Sequence, residues 1–240
     1  MSQIAIISGS SGLVGTQLLH QLFQNSAYDW VISIGRRDLA FKHSKLIQVK
    51  VDFKKLEKLD LFEKIKENDL GGKYQNLVKQ IQTNPMLIHV YCALGTTLKD
   101  AGSKDKFYKI DHDYVINFAR WAHGLGAKKF LYVSSLGADA RSSIFYNRVK
   151  GEIEEDLKRI NFDYVGIFQP SILLGNRKTN RLGEEVGKVI MRGITFLGLF
   201  KKYKPIYDHQ VAKAMVKKAL ENDMAGHETI SSSEMHQMNS

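Results

Sequence analysis

Near the start of the chain stands Ile4-Ala5-Ile6-Ile7-Ser8-Gly9-Ser10-Ser11-Gly12-Leu13-Val14-Gly15. A β-branched run of strand length gives way to a G-x-x-G-x-x-G turn. Leu13, Leu18, Leu19, Leu22 and Phe23 then recur at helical spacing. A strand, a glycine turn and a helix in this order are the phosphate-binding start of a βαβ unit. Gly9 permits the tight turn, Gly12 lets backbone N–H groups approach a pyrophosphate, and Gly15 allows the helix to pack closely. Ser10, Ser11, Leu13 and Val14 complete the loop expected to hold a dinucleotide, with phosphate at the positive end of the helix.

Outward from this turn, apolar runs alternate with helical periods. Trp30 to Ile34, Leu46 to Val51, Met86 to Ala93, Phe130 to Val133 and Tyr164 to Phe168 read as strands. Asn84-Pro85 closes the helix before the fourth strand. Ile110 to Trp121 and Tyr146 to Ile160 read as helices. Strands that are apolar on both faces and separated by helices predict an α/β fold, a doubly wound parallel sheet of the Rossmann type. Past Gln169-Pro170 the alternation weakens. The reading is one domain over 1–240, with 171–225 as a small C-terminal substrate-side elaboration and the last dozen residues as a loosely packed tail.

Composition narrows the function classes. The 240 residues are 43% hydrophobic and 25% charged, which suffices for one large core. Met1-Ser2-Gln3 leads straight into the first strand without a basic n-region, and no apolar run is long enough to span a membrane. A single cysteine, Cys92, excludes an intrachain disulfide and fits a reducing compartment, so a cytoplasmic protein is expected. The eight histidines lack metal-ligand spacing, and no metal is expected. The net charge of +10 comes from scattered lysines, with pairs at Lys54-Lys55, Lys128-Lys129, Lys201-Lys202 and Lys217-Lys218. No basic run interleaves with aromatics, so no specific nucleic-acid partner is expected.

The second strand runs into Ile34-Gly35-Arg36-Arg37. NAD-preferring sites carry an acidic residue there for the ribose 2′-hydroxyl. Arg36 and Arg37 instead offer paired donors to a 2′-phosphate, which predicts NADP(H). Asp52 could bond the adenine amino group, with Phe53 beside it, or serve only as a turn residue. Tyr146-Asn147-Arg148-Val149-Lys150 sets tyrosine and lysine at i and i+4 on one helix face. A nearby ammonium favours the phenolate, which suits Tyr146 as a general acid toward a carbonyl, and Lys150 can also hold a nicotinamide ribose. Val133-Ser134-Ser135 ends the fifth strand, where open α/β sheets place their ligands.

Taken together, these motifs resemble an atypical short-chain dehydrogenase/reductase, most similar to the Tat-interacting-protein-like oxidoreductases. Cys92-Ala93-Leu94-Gly95-Thr96-Thr97, Lys109 to Val115, Ser134 to Asp139 and Tyr146 to Glu152 carry the likeness with the glycine turn and the arginine pair. The resemblance implies catalytic Ser135, Tyr146 and Lys150, the second serine of the pair being the usual one. It implies that Leu94, Gly95 and Thr96 line the middle of the cofactor and that Gln169, Pro170, Ser171 and Ile172 pass beside the nicotinamide. Two departures stand out. Asp111 occupies a place where many superfamily members carry asparagine, and Gln169-Pro170 replaces a common Arg-Pro.

The expected activity is NADP(H)-dependent hydride transfer to or from a small or lipophilic carbonyl or alcohol. An NADP(H)-binding regulator or scaffold with little chemistry is the alternative. Apolar residues from Val186 to Phe200 precede Lys201-Lys202-Tyr203-Lys204. That segment reads as pocket wall or dimer contact, with peripheral membrane contact as the competing reading. A monomer or homodimer fits the chain equally. Tyr207 and His209 read as packing or surface residues, and Cys92 as a buried hydrophobe.

Overall fold

Ile4, Ala5, Ile6 and Ile7 are all buried, and a strand with apolar side chains on both faces needs a layer of helices above and below it. In the computed structural model, which describes residues 3–67, 72, 75–77, 79–80, 87–175 and 204–239, those layers are present. The elements run β1 (Gln3–Ser8), α1 (Leu13–Gln24), β2 (Tyr28–Gly35), β3 (Leu46–Lys50), a 3₁₀ turn (Phe53–Lys58), α2 (Leu61–Glu67) and β4 (Leu87–Cys92). Then come α3 (Leu98–Ala101), α4 (Lys104–Tyr108), a π-helical turn (Lys109–Asp113), α5 (Tyr114–Gly124), β5 (Lys129–Val133), α6 (Phe145–Lys158) and β6 (Tyr164–Gln169). The chain continues through β7 (Leu173–Leu174), β8 (Ile206–Tyr207), α7 (Asp208–Leu220), β9 (Gly226–Ser231) and α8 (Ser232–Asn239).

Seven parallel strands form one sheet in the order β3-β2-β1-β4-β5-β6-β9, while β7 and β8 pair separately. The chain winds outward from β1 in one direction, then returns to lay β4 on its other side. A crevice therefore opens at the carboxyl ends of β1 and β4, where such sheets bind ligands. One core lies under α5 and α6, with Phe118, Phe130, Val149 and Ile153 at its centre. The other lies under α1 and α7, where Leu18, Leu22, Val211 and Met215 meet. The six expected strands are all present within two residues of their expected ends. Met86 and Asn84-Pro85 lie outside the described residues, as does the segment 186–203.

The C-terminus differs from the expectation. Instead of a loose tail, β9 adds a strand beside β6, and α8 follows with Met235 fully buried. In β9 only Ile230 is a buried hydrophobe, so periodicity has almost nothing to register. Polar contacts secure this edge. Tyr164 Oη donates to Glu228 at 2.9 Å, and Lys218 bridges Glu221 and Glu228 at 3.0 and 3.1 Å. Lys129 Nζ donates to the carbonyls of Ala219 and Glu221 at 2.9 and 2.6 Å, satisfying the end of α7.

Within the sheet, His89 on β4 accepts or donates through Nδ1 to Tyr28 Oη at 2.7 Å, and Tyr28 Oη meets Tyr91 Oη at 2.6 Å. Burial, helped by the nearby Lys129 charge, pushes the His89 pKa down to about 4 from an ordinary 6.5. The folded protein therefore holds His89 neutral while the unfolded chain binds a proton below pH 6.5. Stability is fully present above pH 6.5 and drains away between pH 6.5 and 4, by at most about 3 kcal/mol from this group. Melting temperatures from pH 7.5 to 4 should fall more steeply for the wild type than for His89→Gln. Parallel curves would remove His89 as the cause.

Candidate active site

The crevice is a groove of about 390 Å³ lined by the glycine loop, the end of β2 and the turn after β4. Its floor depends on glycine. Gly9 has φ +81°, and a Cβ there would lie 2.3 Å from the Ala93 carbonyl. A Cβ on Gly15 would lie 2.1 Å from Gly9 O, so this glycine packs α1 onto the loop and away from the groove. Gly12 caps α1 with extended backbone and no side-chain acceptor, and the first turn carries no acid. Its N–H groups are thus left for an outside anion.

The other loop residues divide by direction. Ser11 is exposed at the lip. Ser10 is buried with its hydroxyl 2.6 Å from Ser33 Oγ, so its side chain braces β2. Val14 turns into the core under α1, and neither Leu13 nor Val14 lines the groove. All three were expected on the ligand: Ser10 lines the groove with its hydroxyl engaged by Ser33, and Leu13 and Val14 lie outside the lining.

Arg36 and Arg37 are exposed at the groove's edge, and among the described residues neither has an ion-pair partner. Phe53 lines the same end, buried, with its ring stacked on Tyr114 at 5.5 Å and 22°. Asp52 caps the 3₁₀ turn by accepting from Lys54 N at 3.0 Å and is not part of the lining. The turn role considered for it is the one it plays.

A second cluster gathers at the ends of β4, β5 and β6. Leu94 and Gly95 line the groove, and Thr96 N donates to Asp111 Oδ2 at 2.8 Å. Ser134 is committed, its hydroxyl donating to Glu154, which also accepts from Gln169 Nε2 at 3.0 and 3.1 Å. Burial raises the Glu154 carboxyl pKa, opposed by the Ser134 and Gln169 hydrogen bonds. Ser135 is the free member of the pair: its Oγ is buried without a hydrogen-bond partner among the described residues. Geometry thus favours Ser135 over Ser134 for receiving an outside group.

Tyr146 lies in the first turn of α6, half-buried against Phe107 with ring centres 5.7 Å apart. Lys150 follows one turn later, its Nζ 6.0 Å from the Tyr146 ring centre. The lysine is almost wholly enclosed. It donates to Tyr132 Oη at 3.1 Å and pairs with Asp111 Oδ1 at 3.0 Å. Burial draws its pKa down, but Tyr132 and Asp111 more than restore it, leaving it well above the ordinary lysine value. Lys150 is therefore a charged, compensated ammonium.

The Gln169–Ile172 segment serves the framework. Pro170 O accepts from Leu136 N at 2.9 Å and Ile172 O from Ile206 N at 2.9 Å. Ser171 Oγ donates to Lys204 O at 2.6 Å and lies 3.0 Å from Ser232 Oγ, so this side chain, expected beside a nicotinamide, ties down the C-terminal elements. Tyr207 and His209 stack at 5.4 Å on the surface, as expected. Sequence reasoning missed Tyr114, Tyr132 and Glu154. The last had a signal, since Tyr146, Lys150 and Glu154 repeat at four-residue spacing on one helix face.

A nicotinamide dinucleotide fits these residues: a glycine floor closed to any Cβ, an uncapped helix start, free guanidiniums at one end and an orphaned buried hydroxyl at Ser135. Among the described residues, no cluster of histidine, cysteine and carboxylate could hold a metal, and no helix is long and apolar enough to cross a membrane.

Known proteins agree with this architecture. The model for the NAD dependent epimerase/dehydratase family matches residues 5–235. Protein HTATIP2 of Rattus norvegicus is 35% identical over 179 residues, covering 74% of this chain and 66% of that protein. The mitochondrial protein FMP52-1 of Scheffersomyces stipitis is 32% identical over 232 residues, covering 94% and 92%. Among solved structures, MoeE5 in complex with UDP-glucose and NAD superposes with a TM-score of 0.63 at 14% identity, over 95% of this chain and 75% of that one. A short chain dehydrogenase family protein from Francisella tularensis gives a TM-score of 0.59 at 16% identity, over 99% and 100%. The resemblance read from the motifs is borne out, and so is the Rossmann-type sheet. The cytoplasmic expectation is corrected: fungal relatives such as those of Meyerozyma guilliermondii and Aspergillus niger carry mitochondrial names. A missing basic leader and a lone cysteine were too weak a basis for a compartment.

Proposed function

Because the chain belongs to the NAD dependent epimerase/dehydratase family, we propose that it is an NADP(H)-dependent oxidoreductase for a small or lipophilic carbonyl or alcohol. Ser135 carries this reading: a buried hydroxyl with no partner among the described residues is costly to keep unless something outside completes it. Arg36 and Arg37, without an ion-pair partner among the described residues at the adenosine end of the groove, support NADP(H) over NAD(H).

The bound dinucleotide supplies hydride exchange with the substrate carbon. The chain supplies the rest. The start of α1 receives the pyrophosphate, and the guanidiniums donate to the 2′-phosphate. The Ser135 hydroxyl donates to the carbonyl oxygen and fixes its direction, and Tyr146 Oη hands that oxygen a proton as negative charge develops on it. Lys150 sits beneath the tyrosine ring as the buried positive charge of the site.

One observation favours a second reading, an NADP(H)-binding regulator with little turnover: Lys150 is already spent on Asp111 and Tyr132. Titration with NADPH and NADH, followed by a carbonyl panel monitored at the NADPH absorbance, separates the two. NADPH binding with turnover supports the oxidoreductase. Binding without turnover on any carbonyl supports the regulator, and binding of neither nucleotide ends both. The fungal relatives' names support a mitochondrial compartment, which cell fractionation would overturn if the chain stayed in the cytosol.

A further inference from the structure

Glu154 has no task in the scheme above, yet it is buried on α6 and joins two strand ends. Its Oε1 accepts from the Ser134 hydroxyl, and both of its oxygens accept from Gln169 Nε2, at 3.0 and 3.1 Å. The backbone of the two strand ends is laddered as well. Ser134 N donates to Phe168 O at 2.7 Å and Leu136 N to Pro170 O at 2.9 Å. Ser135 lies between the two donors, and Gln169 lies between their acceptors. The carboxylate therefore ties together the two stretches that hold Ser135 in place.

The acid does this without a counter-ion. Among the described residues Glu154 forms no ion pair, and β5 and β6 face it with the neutral Ser134 and Gln169. Gln169 stands where a common Arg-Pro pattern would supply a guanidinium. The charges acting on Glu154 come from its own helix, Lys158 and Lys150, and Lys150 is already paired with Asp111 of the π-helical turn at 3.0 Å. Burial raises the Glu154 pKa more than the hydrogen bonds and the lysines lower it. A proton on this carboxylate turns an acceptor into a donor, so Ser134 or Gln169 must then reverse its hydrogen bond.

We propose that Glu154 is a proton-controlled positioning residue: ionised, it locks the Ser134 and Gln169 side chains together and fixes Ser135 between them, and protonated, it releases that lock. The consequence for catalysis rests on reading Ser135 as the hydroxyl that orients the carbonyl. Turnover is then full above the Glu154 pKa and declines as pH falls through it. Glu154 acts on the reaction through Ser135.

The test follows the backbone amide shifts of Ser134 and Ser135 by NMR in the full chain without nucleotide, as pH is lowered from neutral. Both should share one inflection above the ordinary glutamate range, and Glu154→Gln should abolish it. Gln169→Arg sets a guanidinium beside the carboxylate and should move the inflection about one pH unit or more lower. Ser134→Ala removes a donor to the charged form and should move the Ser135 inflection higher. The acid limb of NADPH-dependent turnover should shift with the inflection in Gln169→Arg, whereas a merely structural carboxylate would leave the pH profile in place. An inflection that persists in Glu154→Gln overturns the proposal, as does one that Gln169→Arg fails to lower or an acid limb that stays put while the inflection moves. Should Gln169→Arg fail to fold, the upward shift in Ser134→Ala decides in its place. A wild type that neither binds NADPH nor turns over a carbonyl refutes the proposed function, while the amide titration still decides the role of Glu154.

Discussion

Replacing Arg36 and Arg37 together with alanine is expected to weaken NADPH binding about 100-fold and leave NADH binding within about threefold. A hydrogen bond to a charged group contributes about 1.5–3 kcal/mol, and the exposed position at the groove edge argues for the lower part of the combined range because solvent screens it. The selectivity of the loss is the informative quantity. Both nucleotides share the pyrophosphate held at the start of α1, and only NADPH carries the 2′-phosphate. NADPH affinity should also decline with added salt more steeply than NADH affinity, and the double variant should erase that difference. Isothermal titration with each nucleotide checks this directly. Equal losses for both would mean that the arginines act on the loop and not on the extra phosphate.

Tyr146→Phe should lower turnover of any accepted carbonyl by about 10²–10⁴-fold, the range for losing a positioned proton donor. NADPH binding should stay within about threefold, since the ring stays packed on Phe107 and only the hydroxyl goes. Ser135→Ala is the useful companion. Its Oγ has no internal partner, so its removal breaks no bond within the described residues. A variant with wild-type stability and sharply reduced turnover would identify a hydroxyl retained for substrate. Full activity in Tyr146→Phe would eliminate the proton-transfer scheme.

The parts legible in the sequence are those set by neighbours along the chain. Gly9, Gly12 and Gly15 declare a turn through their own spacing, and Tyr146 and Lys150 share a helix face by counting residues. Parallel strands buried on both faces announce themselves as continuous apolar runs. Illegible positions depend on distant partners. Ser10 lines the groove with its hydroxyl already bonded to that of Ser33, 23 residues on. Ser171 is occupied by Lys204 and Ser232, separated from it by 33 and 61 residues. The choice between Ser134 and Ser135 follows from a carboxylate on α6, Glu154, which claims one and leaves the other. Asp111 was visible only as an unusual residue, and its meaning required knowing that Lys150 and Thr96 converge on it.

The seventh strand has a consequence for biosynthesis. β9 pairs with β6 but is separated from it by more than fifty residues of sequence, including all of α7. While a ribosome is still making that stretch, β6 presents a row of unanswered amide and carbonyl groups, and an uncovered strand edge is a template for pairing with another chain. The nascent protein thus stays open to self-association at one margin until residues 226–231 leave the exit tunnel, and the polar lock of Tyr164, Lys218 and Glu228 closes only then.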